Sequence, residues 1–102
     1  MNNNVSEKHQ LALHAGEAAD LLKQLANVNR LMICCSLVEG EMSVMEINAQ
    51  LPLSQSALSQ HLAKLRLSNI LATRKESQTV LYRLANDKVL SIISTLKNIY
   101  CP

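Results

Sequence analysis

Apolar residues at positions 11, 15, 18, 22 and 25 recur at near-heptad spacing, which predicts one amphipathic helix over about residues 7–27. Its face is rich in Ala, so another helix can approach it closely. Asn29 is placed to cap a second helix that runs to about Glu39 and stops at Gly40. Ser43 followed by Glu46 forms a capping box that opens a short helix to about Gln50, Pro52 breaks the chain, and Ser54 caps a further helix to about Ser68. After Asn69 the period changes. Residues 70–75 and 79–84 alternate in part on either side of Glu76-Ser77-Gln78, the pattern of a β-hairpin. From Asn86 the helical period returns, with Val89, Ile92, Ile93, Leu96, Ile99 and Tyr100 on one face. Residues 1–6 are expected to be a disordered tail and residues 7–102 a single domain, since repeats and interior linkers are lacking.

Composition narrows this picture. The 102 residues are about the size of one domain, and 48% hydrophobic residues suffice for one core. Only 2% are aromatic, with no Trp or Phe, so the core must be built from Leu, Ile, Val, Ala and Met, which suits helices packed on helices. The net charge is +2, but residues 54–84 carry Lys64, Arg66, Arg74, Lys75 and Arg83 against Glu76 alone, a net of +4, and the rest sums to −2. A basic segment on a nearly neutral chain points to a localised anionic partner. The opening MNNNVSEKHQ lacks the basic run and apolar core of an export signal, and no apolar run approaches the ~20 residues of a membrane span. A soluble, cytoplasmic protein without a membrane partner is expected. Three cysteines, an odd number, do not make a secreted disulfide framework. In a reducing cytosol they rest as thiols, so a disulfide here is conditional rather than structural.

The short helix, the turn Leu51-Pro52-Leu53-Ser54 and the helix after it have helix-turn-helix proportions. In the second of these helices Leu58, Leu62 and Leu65 form an inward stripe. The opposite face, beginning beside Ser54, carries Gln55, Ser56, Ser59 and Gln60, short polar groups that donate and accept at base edges in a major groove. Lys64 and Arg66 lie further along, where phosphate contact is more natural than base reading. Taken alone, these residues equally describe a solvated helix. The basic hairpin behind it, with Arg74 and Lys75 in one strand and Arg83 in the other, turns the balance toward a winged helix-turn-helix: a mainly α fold of four helices, a β-hairpin and a fifth helix. The first and last helices have apolar faces broader than a monomer of this size readily covers, so a homodimer through them is expected. Its two-fold symmetry predicts a pseudo-palindromic operator on double-stranded DNA, with half-sites one or two turns apart at about 34 Å per turn.

Over about residues 15–101 the chain resembles the ArsR/SmtB family of bacterial repressors. The resemblance rests on LLKQLANVNRLMIC, on SQSALSQHLAKLR and on the wing LATRKESQTVLYRL. The second is the most specific, since the family's recognition helix commonly reads S-x-S-x-x-S-x-H-L-x-x-L. Asn69 stands where the family usually has Gly before the wing, and Asn still takes a left-handed conformation. His61 belongs to that helix signature, and a supporting role at the DNA interface is expected of it rather than a ligand or catalytic role. The candidate DNA-contacting residues are therefore Ser54, Gln55, Ser56, Ser59, Gln60, His61, Lys64, Arg66, Arg74 and Lys75.

Many members of this family sense metals. One common site needs Cys-x-Cys in the first helix of the helix-turn-helix, but Ser43-Val44-Met45-Glu46-Ile47-Asn48 has no cysteine. Another needs Asp and His along the last helix, which has no His and only Asp87. Tetrahedral zinc wants four ligands, and His9 and His14 have no paired cluster. Neither a metal nor another cofactor is expected.

Cys34 and Cys35 are displaced by about 100° on a helix, so both cannot face one partner squarely. Either fits the apolar stripe, and periodicity does not decide between them. Here the resemblance adds something, because ICCSL, SQSALSQHLAKLR, TRKESQTV and the ending NIYCP look most like the sulfur- and redox-responsive HlyU/BigR branch. Matched residue by residue, that branch's sensing pair falls on Cys35 and Cys101. The resemblance implies a disulfide or polysulfide bridge between them that releases DNA, with a persulfide or other oxidant as inducer.

Two rival readings remain at this point. One is an ArsR-type regulator that responds to a metal, to another ligand or to none; the other is a helical protein-interaction module without a nucleic-acid role. An enzyme is not expected. The chain has no Cys-x-x-Cys, no glycine-rich phosphate loop and no nucleophile with an evident base and orienting acid.

Overall fold

The computed structural model describes residues 3–101. Its elements follow in the order α1 (Asn3–Leu25), α2 (Val28–Ser36), β1 (Met42–Ser43), α3 (Val44–Gln50), α4 (Gln55–Leu67), β2 (Leu71–Glu76), β3 (Thr79–Leu84) and α5 (Asp87–Tyr100). This is the mainly helical, hairpin-bearing order that the periodicities predict.

The boundaries differ at the first two helices. Helix α1 begins at Asn3 and not near residue 7, and it ends at Leu25. Extending a nucleated helix by one more residue costs little. The backbone of residues 3–6, expected as a tail, is therefore helical, while residues 1 and 2 lie outside the described residues. Helix α2 is capped by Asn27 rather than Asn29. At φ −157° and ψ 127° the Asn27 side-chain oxygen accepts the Arg30 amide at 3.0 Å, and Asn29 already lies in the first turn. The helix stops at Ser36 rather than Glu39, because the amides of Leu37, Val38 and Gly40 each turn back three residues, to the carbonyls of Cys34, Cys35 and Leu37. Such tight bonds end an α-helix. Gly40, at φ 150°, then redirects the chain toward β1 in a conformation that side chains rarely adopt.

The capping box at Ser43 forms as expected: Glu46 accepts the Ser43 amide at 2.8 Å, and the Ser43 hydroxyl accepts the Glu46 amide at 3.2 Å. Strand β1 has no signature in the sequence, because two residues cannot display an alternation. It pairs antiparallel with β3, Met42 opposite Tyr82 and Ser43 opposite Leu81, so the sheet order is β1-β3-β2. The hairpin turn itself is only Ser77-Gln78, with Glu76 opposite Thr79 and Ser77 at φ 57°.

One aliphatic core joins these pieces. Ile33 and Cys34 of α2, Ile47 of α3, Leu58 and Leu62 of α4, and Ile93 of α5 are all buried together. Each large aliphatic chain among them contributes roughly 1.5–3 kcal/mol by leaving water. Among the described residues, helix α1 adds Leu25 to that core with half-buried Leu21 packed against it, while Leu11 and Leu13 stay exposed. At the far end of α5, Ile99 and Tyr100 stay 60% and 78% exposed. A single chain therefore leaves apolar faces on its first and last helices uncovered.

Candidate nucleic-acid interface and thiol pair

The helix-turn-helix is held by local bonds that its sequence dictates. Pro52 prevents α3 from continuing, and the Asn48 side-chain amide donates to the Leu53 carbonyl at 2.9 Å, fixing the turn. The Ser54 hydroxyl accepts the Ala57 amide at 3.1 Å and so starts α4. Ser54 is exposed, but its oxygen is already engaged as the helix cap. Leu58, Leu62 and Leu65 are buried, which orients α4 and turns Gln55, Ser56, Ser59 and Gln60 outward. Lys64 and Arg66 are exposed in its last turn, and His61 is half-buried.

The wing departs from expectation at Arg74. Its guanidinium grips the Glu41 carboxylate with two bonds of 2.7 and 2.8 Å and reaches Glu76 at 3.2 Å. Those hydrogen bonds hold Glu41 below the usual carboxylate range and raise Arg74 further. Arg74 is thus occupied by carboxylates, whereas Lys75 and Arg83 are exposed and show no ion pair among the described residues.

Strand register separates Lys75 from Arg74, whereas Arg83 shares Arg74's face and its charge also acts on Glu41. Paired residues share a face of the sheet and successive ones alternate. Leu71 and Leu84, Thr73 and Tyr82, and Lys75 and Val80 lie on one face; Arg74, Glu76 and Arg83 lie on the other. Tyr82 lines an open groove with Ser59 and Arg66 of α4 and with Asn69. The face that includes Lys75 is therefore the one turned to α4. Tyr82 and Asn69 were not among the expected site residues. The signal for Tyr82 was present in the alternation, which puts it level with Thr73 and in phase with the buried Leu71. Asn69 has the left-handed conformation expected of it, φ 60°, where it starts the wing.

The three cysteines are free thiols in three different settings. Cys34 has no exposed surface and packs within the core. Burial pushes its thiol up to about 12, and a charge on Cys35 would push it further. Cys35 is half-buried at the core's edge. Burial raises its pKa, the Lys97 ammonium opposes that rise, and a charge on Cys101 adds to it. Helices α2 and α5 pack together, so Lys97 and Cys101 lie close enough for their charges to act on Cys35. Cys101 is exposed just beyond α5, and its amide donates to the Lys97 carbonyl at 2.7 Å. The fold thus brings Cys35 and Cys101 to one end of α5 and sets Cys34 apart from them.

Among the described residues, no three His, Cys, Asp or Glu side chains gather where they could hold a metal ion, and no helix is long and apolar enough to cross a membrane.

Residues 27–73 match the sequence profile of the bacterial regulatory proteins of the arsR family. The transcriptional activator HlyU of Vibrio cholerae is 47% identical over 90% of this chain and 85% of its own length. The reduced form of that protein superposes with a TM-score of 0.85 at 46% identity, covering 91% of this chain and 98% of its own. The transcriptional repressor BigR of Xylella fastidiosa superposes at 0.86 with 40% identity, covering 93% and 97%. A homodimeric winged helix-turn-helix DNA-binding domain from Mycobacterium bovis has a TM-score of 0.76 at 26% identity, over 87% of this chain and 82% of that one.

Proposed function

The chain belongs to the ArsR family of bacterial regulatory proteins, a DNA-binding winged-helix transcriptional regulator of the HlyU/BigR branch, and on that premise we propose that its DNA binding is switched by thiol chemistry. In this reading two copies pair through α1 and α5 and bind a pseudo-palindromic operator as a dimer. The exposed apolar residues of those helices support the pairing, as does the homodimeric relative. Gln55, Ser56, Ser59 and Gln60 read bases, and Lys64, Arg66 and Lys75 meet phosphates. The chain binds and senses in the cytoplasm and catalyses nothing.

The observation that carries the switch is the contrast between neighbours: Cys34 is sealed in the core, while Cys35 sits at the core's edge by the end of α5 that bears Cys101. The thiolate is the reactive form. With peroxide, Cys35 thiolate attacks one oxygen, hydroxide leaves, and the resulting sulfenic acid is attacked by the Cys101 thiol to give the disulfide and water. With a persulfide donor, Cys35 takes the outer sulfur and the donor leaves as a thiol. Attack by Cys101 on the inner sulfur of the Cys35 persulfide then closes a disulfide and expels hydrogen sulfide. If both cysteines carry persulfides, loss of hydrogen sulfide gives a trisulfide. A disulfide wants Cα atoms about 4.4–6.8 Å apart, and an added sulfur relaxes that limit.

A bridge closing a loop this long constrains the open chain by about 4 kcal/mol. Shifting DNA affinity 5- to 150-fold takes only about 1–3 kcal/mol. A modest share of the constraint therefore suffices if it differs between DNA-competent and incompetent dimers. The test is peptide mass spectrometry after a persulfide donor, beside a gel shift with a palindromic duplex. A Cys35–Cys101 bridge accompanied by release is expected. An unmodified pair with unchanged binding would sink the sensing claim and leave the family assignment standing.

A further inference from the structure

The Arg74–Glu41 pair links two edges of the sheet that do not pair with each other, since β3 lies between β1 and β2. Arg74 belongs to β2, Glu41 stands immediately before β1, and β3 lies between those strands. The guanidinium crosses the middle strand to take both carboxylate oxygens, and Glu76 closes on it from the wing's tip. All of this occurs on the face of the sheet opposite Tyr82 and the groove along α4. A cation so placed points away from the recognition helix and is already neutralised.

Glu41 is only five residues beyond Ser36, the last residue of α2, and the intervening chain is a series of tight turns ending at Gly40. With the amides of Leu37, Val38 and Gly40 each bonded back, this short segment is a stiffened link. Whatever moves α2 moves Glu41, and Glu41 holds Arg74. Two parallel bonds fix an angle as well as a distance, which a single point contact does not.

From this geometry we infer that Glu41 and Arg74 form a strut that sets the position of the wing relative to α2, and that Arg74 is a positioning residue rather than a phosphate contact. Resting on the thiol reading above, the strut is also the path by which a bridge at Cys35 reaches the wing. A change at the α2 end is transmitted through the Leu37–Gly40 turns to Glu41, and through Arg74 to β2. The wing then shifts against α4, and Lys75 no longer meets its phosphate while the bases are read.

The test uses Glu41→Gln, Arg74→Gln, the double variant, and the charge exchange Glu41→Arg with Arg74→Glu, all as full-length reduced protein. If the strut acts as described, each single variant weakens operator binding by a similar factor, about 3- to 10-fold, and the double variant is no weaker than either single one. The slope of log affinity against log salt stays as in the parent for Arg74→Gln, and the charge exchange restores binding to within about 3-fold. If Arg74 is instead a phosphate contact, Arg74→Gln makes the slope shallower by about two, one for each copy in the dimer, and Glu41→Gln tightens binding, and the proposal is overturned. Should the parent chain bind no DNA, the proposed function fails, and amide exchange over Thr73–Val80 decides the strut. Equal acceleration in Glu41→Gln and Arg74→Gln supports it; no change overturns it.

The path to the thiols has its own arm. After the Cys35–Cys101 bridge is verified by mass, the parent should lose at least about 3-fold more affinity than Glu41→Gln does. Equal losses overturn the transmission. A bridged parent that is not released overturns the thiol reading and the transmission with it, while the strut still stands or falls by the reduced-protein measurements.

Discussion

Helices α4 and α5 are of nearly equal length, 13 and 14 residues, and both bury aliphatic side chains at helical spacing, yet they leave opposite surfaces to solvent. Helix α4 buries Leu58, Leu62 and Leu65 and presents Ser, Gln, Lys and Arg. Helix α5 buries Val89 and Ile93 and still exposes Leu90, Ile99 and Tyr100. The half of the molecule around α4 buries its leucine stripe within one chain, leaving Leu67 exposed at the helix end, and its outer face suits a polar, anionic partner. The half around α1 and α5 is not complete until another apolar surface covers it. That second half also carries Cys101, so the element proposed to pair two copies is the one whose end bears a thiol proposed to sense.

The largest effect that breaks this contrast comes from emptying the closed half. Leu62→Ala should cost about 2–5 kcal/mol in denaturant unfolding, because its neighbours cannot fully collapse into the space. Ile99→Asp, by contrast, should keep helical content by circular dichroism while sedimentation shows a smaller particle. Equal unfolding by both substitutions would mean the two halves are not differently built. Next in size is the thiol response: Cys35→Ser or Cys101→Ser should erase an oxidant-driven affinity loss of about 5- to 150-fold, and Cys34→Ala should keep it. If Cys34→Ala removed the response, the assignment would be wrong by one position.

Acidity gives a smaller and continuous measure. Burial raises the Cys35 pKa above its ordinary value, so the thiol is mostly protonated near neutrality and its reactive fraction grows as pH rises. Alkylation of Cys35 should therefore accelerate up to about tenfold per pH unit while the pH is below that pKa. Cys34, sealed in the core, should stay unlabelled in the folded protein over the same range. Smallest is the single phosphate contact of each copy: Lys64→Ala should reduce the salt slope of the dimer by about two and weaken binding several-fold on any duplex. An unchanged slope would remove Lys64 from the interface.

The helix-turn-helix was the most legible part of the sequence. Its caps, its Pro52 break and its leucine stripe are local signals, and each is satisfied within a few residues of where it is written. The wing is legible as a hairpin, but its charge alone does not assign its faces. Arg74 is engaged by Glu41, 33 positions away, and no local pattern announces such a partner. The choice between Cys34 and Cys35 was equally closed to periodicity, since either fits the stripe. It takes the packing of α5 against α2 to seal one and leave the other at an edge. β1 is too short to be read at all, and its existence depends on β3 being there to pair with it.

The central claim is that a bond between Cys35 and Cys101 releases DNA. Its most direct test titrates reduced full-length protein with a persulfide donor and follows, in the same samples, the bridged fraction by mass and the operator-bound fraction by gel shift. Loss of binding should track the bridge, point for point, and both should reverse together on reduction. Full bridging with binding intact, or release while both thiols remain unmodified, would contradict the claim.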